Sequence, residues 1–330
     1  MHATYRKHIK MMLFPGILLL GLGLIILGLS ACDTPDGAEN RLRPATARSG
    51  VISMAPHLTE TIHALGQGER LIAVGSFDDY PPEIASLPRV GGYMDPELER
   101  ISLLSPELIV LPGRHEKVTS YARLYNIPVL NVHMDSFETI FAGIRTLGEA
   151  LDCETEAEAL IASMKAEMAA LEARVADLPR YPTLIITARQ PGALGSLYTT
   201  GGNSFISEML ALIGADNIHK DVEQAYFSAS KETVVMRAPE IIVEFRAGED
   251  LNDAVIDRLR SDWRQMGTLP AVQNDRIYFV TESHAMRPGP RIFEVADSIA
   301  RMIHGDAYPG NDANNAVATH AHPVADGAQP

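Results

Sequence analysis

Two stretches of this chain follow one pattern at an offset of 133 residues, measured from Glu99 to Glu232 and again from Pro106 to Pro239. Glu99, six residues and Pro106-Glu107-Leu108-Ile109-Val110 return as Glu232, six residues and Pro239-Glu240-Ile241-Ile242-Val243. In each copy a polar residue, Asp95 or Ser228, stands four positions before the glutamate and reads as a helix cap. An apolar helical stretch then ends at proline before a β-branched run, which is the order helix, turn, buried strand. The chain is therefore expected to be α/β, with two similar lobes built on mainly parallel sheets. Each lobe shows one glutamate in the first turn of a helix. A single such carboxylate is accounted for by the helix dipole, worth roughly 0.3–1 kcal/mol. Two at matched spacing point to a shared role on a symmetric partner.

The ends of the chain place this body outside the cytoplasm. Arg6, Lys7 and Lys10 precede an apolar run over 11–29 and then Leu29-Ser30-Ala31-Cys32. Positive, apolar and small-residue segments in that order form an export signal over 1–31. Its last four residues resemble a lipobox, cut before Cys32, which then carries lipid. An uncleaved membrane anchor is the other reading, because the apolar run is nearly long enough to span a bilayer. Residues 32–49 lack apolar periodicity and read as a flexible tether. Asp33, next to the cysteine, resembles an inner-membrane retention signal. Residues 306–330, which include His320 and His322, read as a disordered tail. The formal charge of −14 becomes about −17 without the three signal cations, which argues against nucleic acid or an anionic membrane surface as a direct partner. Beyond Cys32 only Cys153 remains, so no internal disulfide staples the body.

Within residues 50–305 short apolar strands alternate with helices, the pattern of a parallel sheet. Strands are expected near Val51, Leu71, Leu108 and Val129, in a first lobe over 50–152. Thr155-Glu156-Ala157-Glu158 reads as a capping box opening a long rigid helix, within 153–179, that joins the lobes. A second lobe follows over 180–305. Its Gly201-Gly202-Asn203-Ser204 reads as a turn and N-cap ahead of a helix over 205–212.

Six segments carry a resemblance. They are Ser53-Met54-Ala55-Pro56-His57-Leu58-Thr59-Glu60, Asp79-Tyr80-Pro81-Pro82-Glu83, Val90-Gly91-Gly92-Tyr93, Leu98-Glu99-Arg100-Ile101, Leu269-Pro270-Ala271-Val272 and Arg287-Pro288-Gly289-Pro290-Arg291. Together they resemble the metal-chelate substrate-binding proteins of ABC importers, nearest to the cobalamin-binding branch. That resemblance implies a ligand cleft between the lobes, and docking of Glu99 and Glu232 on arginines of a permease dimer driven by a cytoplasmic ATPase. It implies a monomer, lipid-anchored outside the cytoplasm on the inner membrane, that captures a corrinoid, with no cofactor of its own and no catalytic residues. The family's aromatic contacts fall on Phe77, Tyr93 and Tyr226, and its last contact loop on His284 and Arg287. Arg114 and Arg246 follow the two repeated strands and are candidates for the same rim. Aromatic faces and a few polar donors suit a flat ring with amide-bearing edges.

Haem or a ferric siderophore is the alternative ligand, with Tyr93 or His284 near the iron. A bare metal site would need His57, His115, His133 and His284 to converge, and they show no short ligand spacing. The chain has no Gly-x-Ser-x-Gly elbow, Walker loop or His-Glu-x-x-His helix, so no catalytic centre announces itself. A sensor binding the same ligand remains an open alternative.

Overall fold

A computed structural model describes residues 50–192 and 194–311. The export signal, Cys32, the tether and the chain from residue 312 lie outside the described residues. The first half runs β1 (Val51–Ser53), α1 (Pro56–Ala64), β2 (Leu71–Val74), α2 (Leu98–Leu104), β3 (Leu108–Leu111), α3 (Glu116–Leu124) and β4 (Val129–Asn131). Its four strands form one parallel sheet in the order β2-β1-β3-β4. Two helices follow, α4 (Phe137–Ala150) and α5 (Glu154–Val175).

The second half begins with β5 (Tyr181–Ile186), β6 (Leu197–Thr200), α6 (Phe205–Leu212), β7 (Ala215–Asn217) and β8 (Tyr226–Ala229). It continues with α7 (Lys231–Arg237), β9 (Ile241–Phe245), α8 (Asp253–Trp263), α9 (Pro270–Gln273), β10 (Ile277–Val280) and α10 (Ile292–His304). Its parallel sheet has the order β10-β9-β5-β7, and β6 pairs with β8 as a separate antiparallel ribbon. Ranked by chain order within each sheet, both sheets read second, first, third, fourth.

The internal repeat holds at the level of single hydrogen bonds. α2 ends at Ser105 and α7 at Ala238, both left-handed, with φ of 47° and 43°. The prolines that follow stop each helix. Glu107 N donates to Gly50 O at 2.9 Å and Glu240 N to Pro182 O at 2.8 Å. Ile109 N and Ile242 N each donate at 3.0 Å, to Pro128 O and Arg276 O.

Four sequence expectations shift. Asp95 and Ser228 are not the caps. Glu97 caps α2 without a side-chain bond, its amide held by Val90 O, and Ser230 caps α7 by accepting from Thr233 N at 3.1 Å. The Thr155 capping box is not used, because the cap of α5 is Cys153, two residues earlier. Cys153 is buried and its amide returns to Gly148 O at 2.8 Å. A Cβ on Gly148 would stand 2.6 Å from the Ala157 Cβ, so packing of α5 on α4, not capping, sets the start. α4 itself, capped by Ser136 with Thr139, was not anticipated. Residues 306–311, read as part of a disordered tail, belong to the folded body, since Tyr308 is fully buried and its hydroxyl donates to Asp297.

α5 is about 33 Å long at 1.5 Å per residue. Its buried stripe of Ala157, Ile161, Met164, Leu171 and Val175 packs against α4, α6 and α10. One apolar core runs from Val51 and Val110 of the first sheet through α5 to Ile185, Val243 and Phe293.

Candidate functional site

Loops leave each sheet at the carboxyl ends of its strands, the usual place for a ligand in open parallel sheets. On the first sheet the loop after β2 carries Phe77, 74% exposed. Its ring lies over Gly92, where a Cβ would stand 3.0 Å from the ring edge, so glycine permits the stack. Next to it, Tyr93 donates its hydroxyl to Arg114 O at 2.8 Å and sets its ring edge-on to His115 at 4.9 Å. Phe77, Tyr93 and Arg114 are thus brought together on one rim, and the Arg114 side chain stays exposed.

On the second half, Tyr226 opens β8 and is 48% exposed. Its phenol is nonetheless pushed up to about 12, by burial of the hydroxyl end and then by the charge of Asp135. The group stays neutral at physiological pH. His284 is half-buried, 4.0 Å from Glu294, and its imidazole is pushed down by burial and by Arg291. It is held neutral rather than presented as a cation.

Arg287 is committed to protein partners. It donates to Glu60 Oε1 at 3.0 Å, to both oxygens of Asp79 and to Phe77 O at 3.4 Å. The hydrogen bonds from Arg287 hold the Asp79 carboxyl below the usual range. Arg291 grips Glu60 with two bonds, 2.9 and 2.8 Å, and lies 3.9 Å over the Tyr80 ring. Glu60, 4% exposed on α1, thus ties the first half to the loop after β10. A second tie joins the halves where Phe205 N donates to Asp135 O and Phe137 N to Glu208 Oε2, each at 2.6 Å.

Arg246 stands apart from the rim. It is buried, 2.7 Å from Glu244 Oε1, whose other oxygen accepts from Arg189 and Trp263 at 2.9 Å each. Arg189 also bonds Asp262 at 2.7 Å. This network braces a cavity of about 430 Å³ at the carboxyl end of β5, bounded by Ala188, Arg189, Gln190, Gly195, Ser196 and Tyr198. Sequence reasoning missed Glu60, Arg189 and Glu244. The signal for Glu244 was present: a carboxylate inside the apolar run Ile241-Ile242-Val243-Glu244-Phe245 needs a cationic partner when buried. Among the described residues no group of three or more His, Cys, Asp or Glu is arranged to hold a metal ion.

Glu99 and Glu232 occupy the same helical position, second in α2 and second in α7, and both are exposed. Backbone hydrogen bonding and the Ser230 hydroxyl hold the Glu232 carboxyl below its ordinary range.

Residues 51–283 match the family described as periplasmic binding protein. The chain is 28% identical over 243 residues to the vitamin B12-binding protein of Vibrio parahaemolyticus, covering 73% of this chain and 84% of that one. It is 27% identical over 266 residues to the uncharacterized ABC transporter substrate-binding lipoprotein YvrC of Bacillus subtilis, covering 78% and 81%. A periplasmic heme binding protein from Pseudomonas aeruginosa shares the fold at a TM-score of 0.67 and 20% identity, over 79% of this chain and 93% of that one. The chain belongs to the periplasmic binding protein family, as an extracytoplasmic substrate-binding protein of an ABC importer and not an enzyme.

Proposed function

We propose that this chain is anchored by lipid on Cys32, captures a cobalamin-like corrinoid between lobes 50–152 and 180–305, and delivers it by docking Glu99 and Glu232 on a permease dimer. The observation that carries the ligand reading is the pair of solvent-facing aromatic rims, with Phe77 at 74% and Tyr226 at 48% exposure. Aromatic faces placed at the carboxyl ends of the strands offer flat apolar surface with polar groups beside it, which a corrin face would cover. The vitamin B12-binding relative supports the same choice. Phe77, Tyr93 and Tyr226 supply the faces in this reading, with Arg114 at the edge. His284 and Arg287 shape the wall, and Arg246 acts from behind it.

Docking through the glutamates is supported by their equivalent helical positions. Bidentate pairing with arginine is the strongest interaction open to an exposed carboxylate. The lipid anchor is supported by the Leu29-Ser30-Ala31-Cys32 segment and by the lipoprotein relative. Haem is the second reading, favoured by Tyr93 beside His115 and by the heme-binding neighbour.

Calorimetric titration with cyanocobalamin, hemin and a ferric siderophore separates these readings. One-to-one heat from the corrinoid alone is the expected result, and heat from hemin alone overturns the corrinoid assignment. In proteoliposomes, Glu99→Ala with Glu232→Ala should abolish transport and spare ligand affinity. Retained transport would refute the docking role.

A further inference from the structure

The two handle helices share more than their glutamates. Leu103 on α2 and Met236 on α7 are again 133 residues apart, and each is 75% exposed. Both stand four positions after the glutamate, so each lies one turn along the same helical face as Glu99 or Glu232. The buried anchors repeat as well. Ile101 and Val234, also 133 apart, are the buried residues of their helices and lie about 160° around the axis from the glutamates, at 100° per residue. Each helix therefore buries one apolar residue completely and turns the opposite face, a carboxylate beside a large apolar side chain, to water.

Single exposed apolar residues are normal on protein surfaces and call for no explanation. Here the exposure, spacing and partner carboxylate occur twice at one offset, in helices that both end at a left-handed residue followed by proline. Helix formation does not demand it, since α2 and α7 differ at most other positions. We propose that each patch is a two-part docking element, an acidic handle and an apolar knob. Its occupant is a two-fold symmetric membrane partner, the importer permease dimer, each half offering a cationic side chain beside an apolar socket. The charge of −14 on this chain and the carboxylate in each patch call for the cation. The equivalence of the patches calls for the two-fold partner. Burial of the knob drives out the water that would weaken the carboxylate pair, as rim contacts do around interface hot spots. This proposal rests on the docking role given to Glu99 and Glu232 above.

The test uses the full chain and the permease–ATPase complex of the same organism in nanodiscs, with docking affinity measured by interferometry at low salt and at 1 M. At 1 M the Debye length is about 3 Å and exposed charge pairs are screened. Leu103→Ser with Met236→Ser should weaken docking by roughly 30- to 100-fold, about tenfold or slightly less per buried aliphatic side chain. The loss should persist at high salt, and the thermal midpoint should stay unchanged because neither side chain is buried. Glu99→Ala with Glu232→Ala should weaken docking at low salt and matter less at 1 M. If the glutamate pair matters while the serine pair docks like the parent, docking stands and the knob is refuted. If, of the single variants Leu103→Ser and Met236→Ser, only one weakens docking, the symmetric partner is refuted. If both pairs dock like the parent, the docking role itself falls and takes the knob with it.

Discussion

Glu60→Gln tests the tie between the two halves. The Glu60 side chain is 2% exposed, and Arg287 and Arg291 beside it are 15% and 17% exposed. Glutamine keeps the size and one acceptor but removes the charge and turns an NH₂ group towards a guanidinium. Arg287 keeps Asp79, which is half exposed, whereas Arg291 loses the carboxylate it grips with two bonds. Removing one partner of a buried pair costs about 3–5 kcal/mol. Residual hydration of the two arginines and the surviving Asp79 bond place this case at the lower end, about 3 kcal/mol. For a chain of this size each kcal/mol lowers Tm by about 2–4 °C, so calorimetry should show a fall of about 6–12 °C. Hydrogen exchange should quicken in 56–64 and 284–291, the two segments that the tie joins. Adding Arg291→Leu to Glu60→Gln should cost little more than Glu60→Gln alone, because the pair acts as one unit. A fall below about 2 °C with unchanged exchange would refute the reasoning, since the arginines would then have found other partners without loss.

Asp78 yields a pH test. Burial pushes its carboxyl up to about 7, with one oxygen accepting from Thr59 and the other unpartnered. A raised folded value means that the stability it contributes is complete below about pH 4 and is lost as pH rises through about 7. Asp78→Asn should therefore gain stability over the parent progressively from pH 4 to 7 and level off above, on the order of 2–4 kcal/mol; a flat difference curve rules this out. His57 and His219, pushed down to about 4 mainly by burial, act oppositely and cancel in that difference. Cys153 is buried with its thiol pushed up, so a thiol reagent should label it only at the rate of unfolding; fast labelling of the folded chain contradicts the α4–α5 packing.

Much of the architecture was legible because it is local. The offset of 133 residues fixed two equivalent helix–strand units, and the structure extends the equivalence to whole sheets with the same strand order. Glu99, Glu232 and the Ser204 cap were legible for the same reason, the cap accepting from Ser207 N at 3.2 Å. What escaped was long-range. Glu60 sits in Thr59-Glu60-Thr61, an ordinary polar stretch of a helix, and its partners lie 227 and 231 residues away. Arg246 looked like a rim residue by its place after a repeated strand, yet Glu244 two residues earlier draws it inward. α4 was missed because its capping box uses threonine at the third position in place of Glu or Gln.

The same features bound how far the protein can move. The core passes without a break from the first sheet through α5 into the second, so separating the halves uncovers apolar surface at about 25 cal/mol per Å². An opening that exposes about 100 Å² costs about 2.5 kcal/mol before either polar tie is touched. The Glu60 cluster and the pair of backbone bonds around Asp135 and Phe137 add to that cost. A wide hinge motion is therefore disfavoured, and α5 acts as a stiff spine. In the proposed reading, exchange of ligand would then come from small movements of the loops that carry Phe77 and Tyr93 and of the start of β8 at Tyr226, or from an outside force on the two halves. On the proposed docking, the exposed handles on α2 and α7 would give the permease a grip on each half, and energy gained at those two patches would be the source from which the ties are strained.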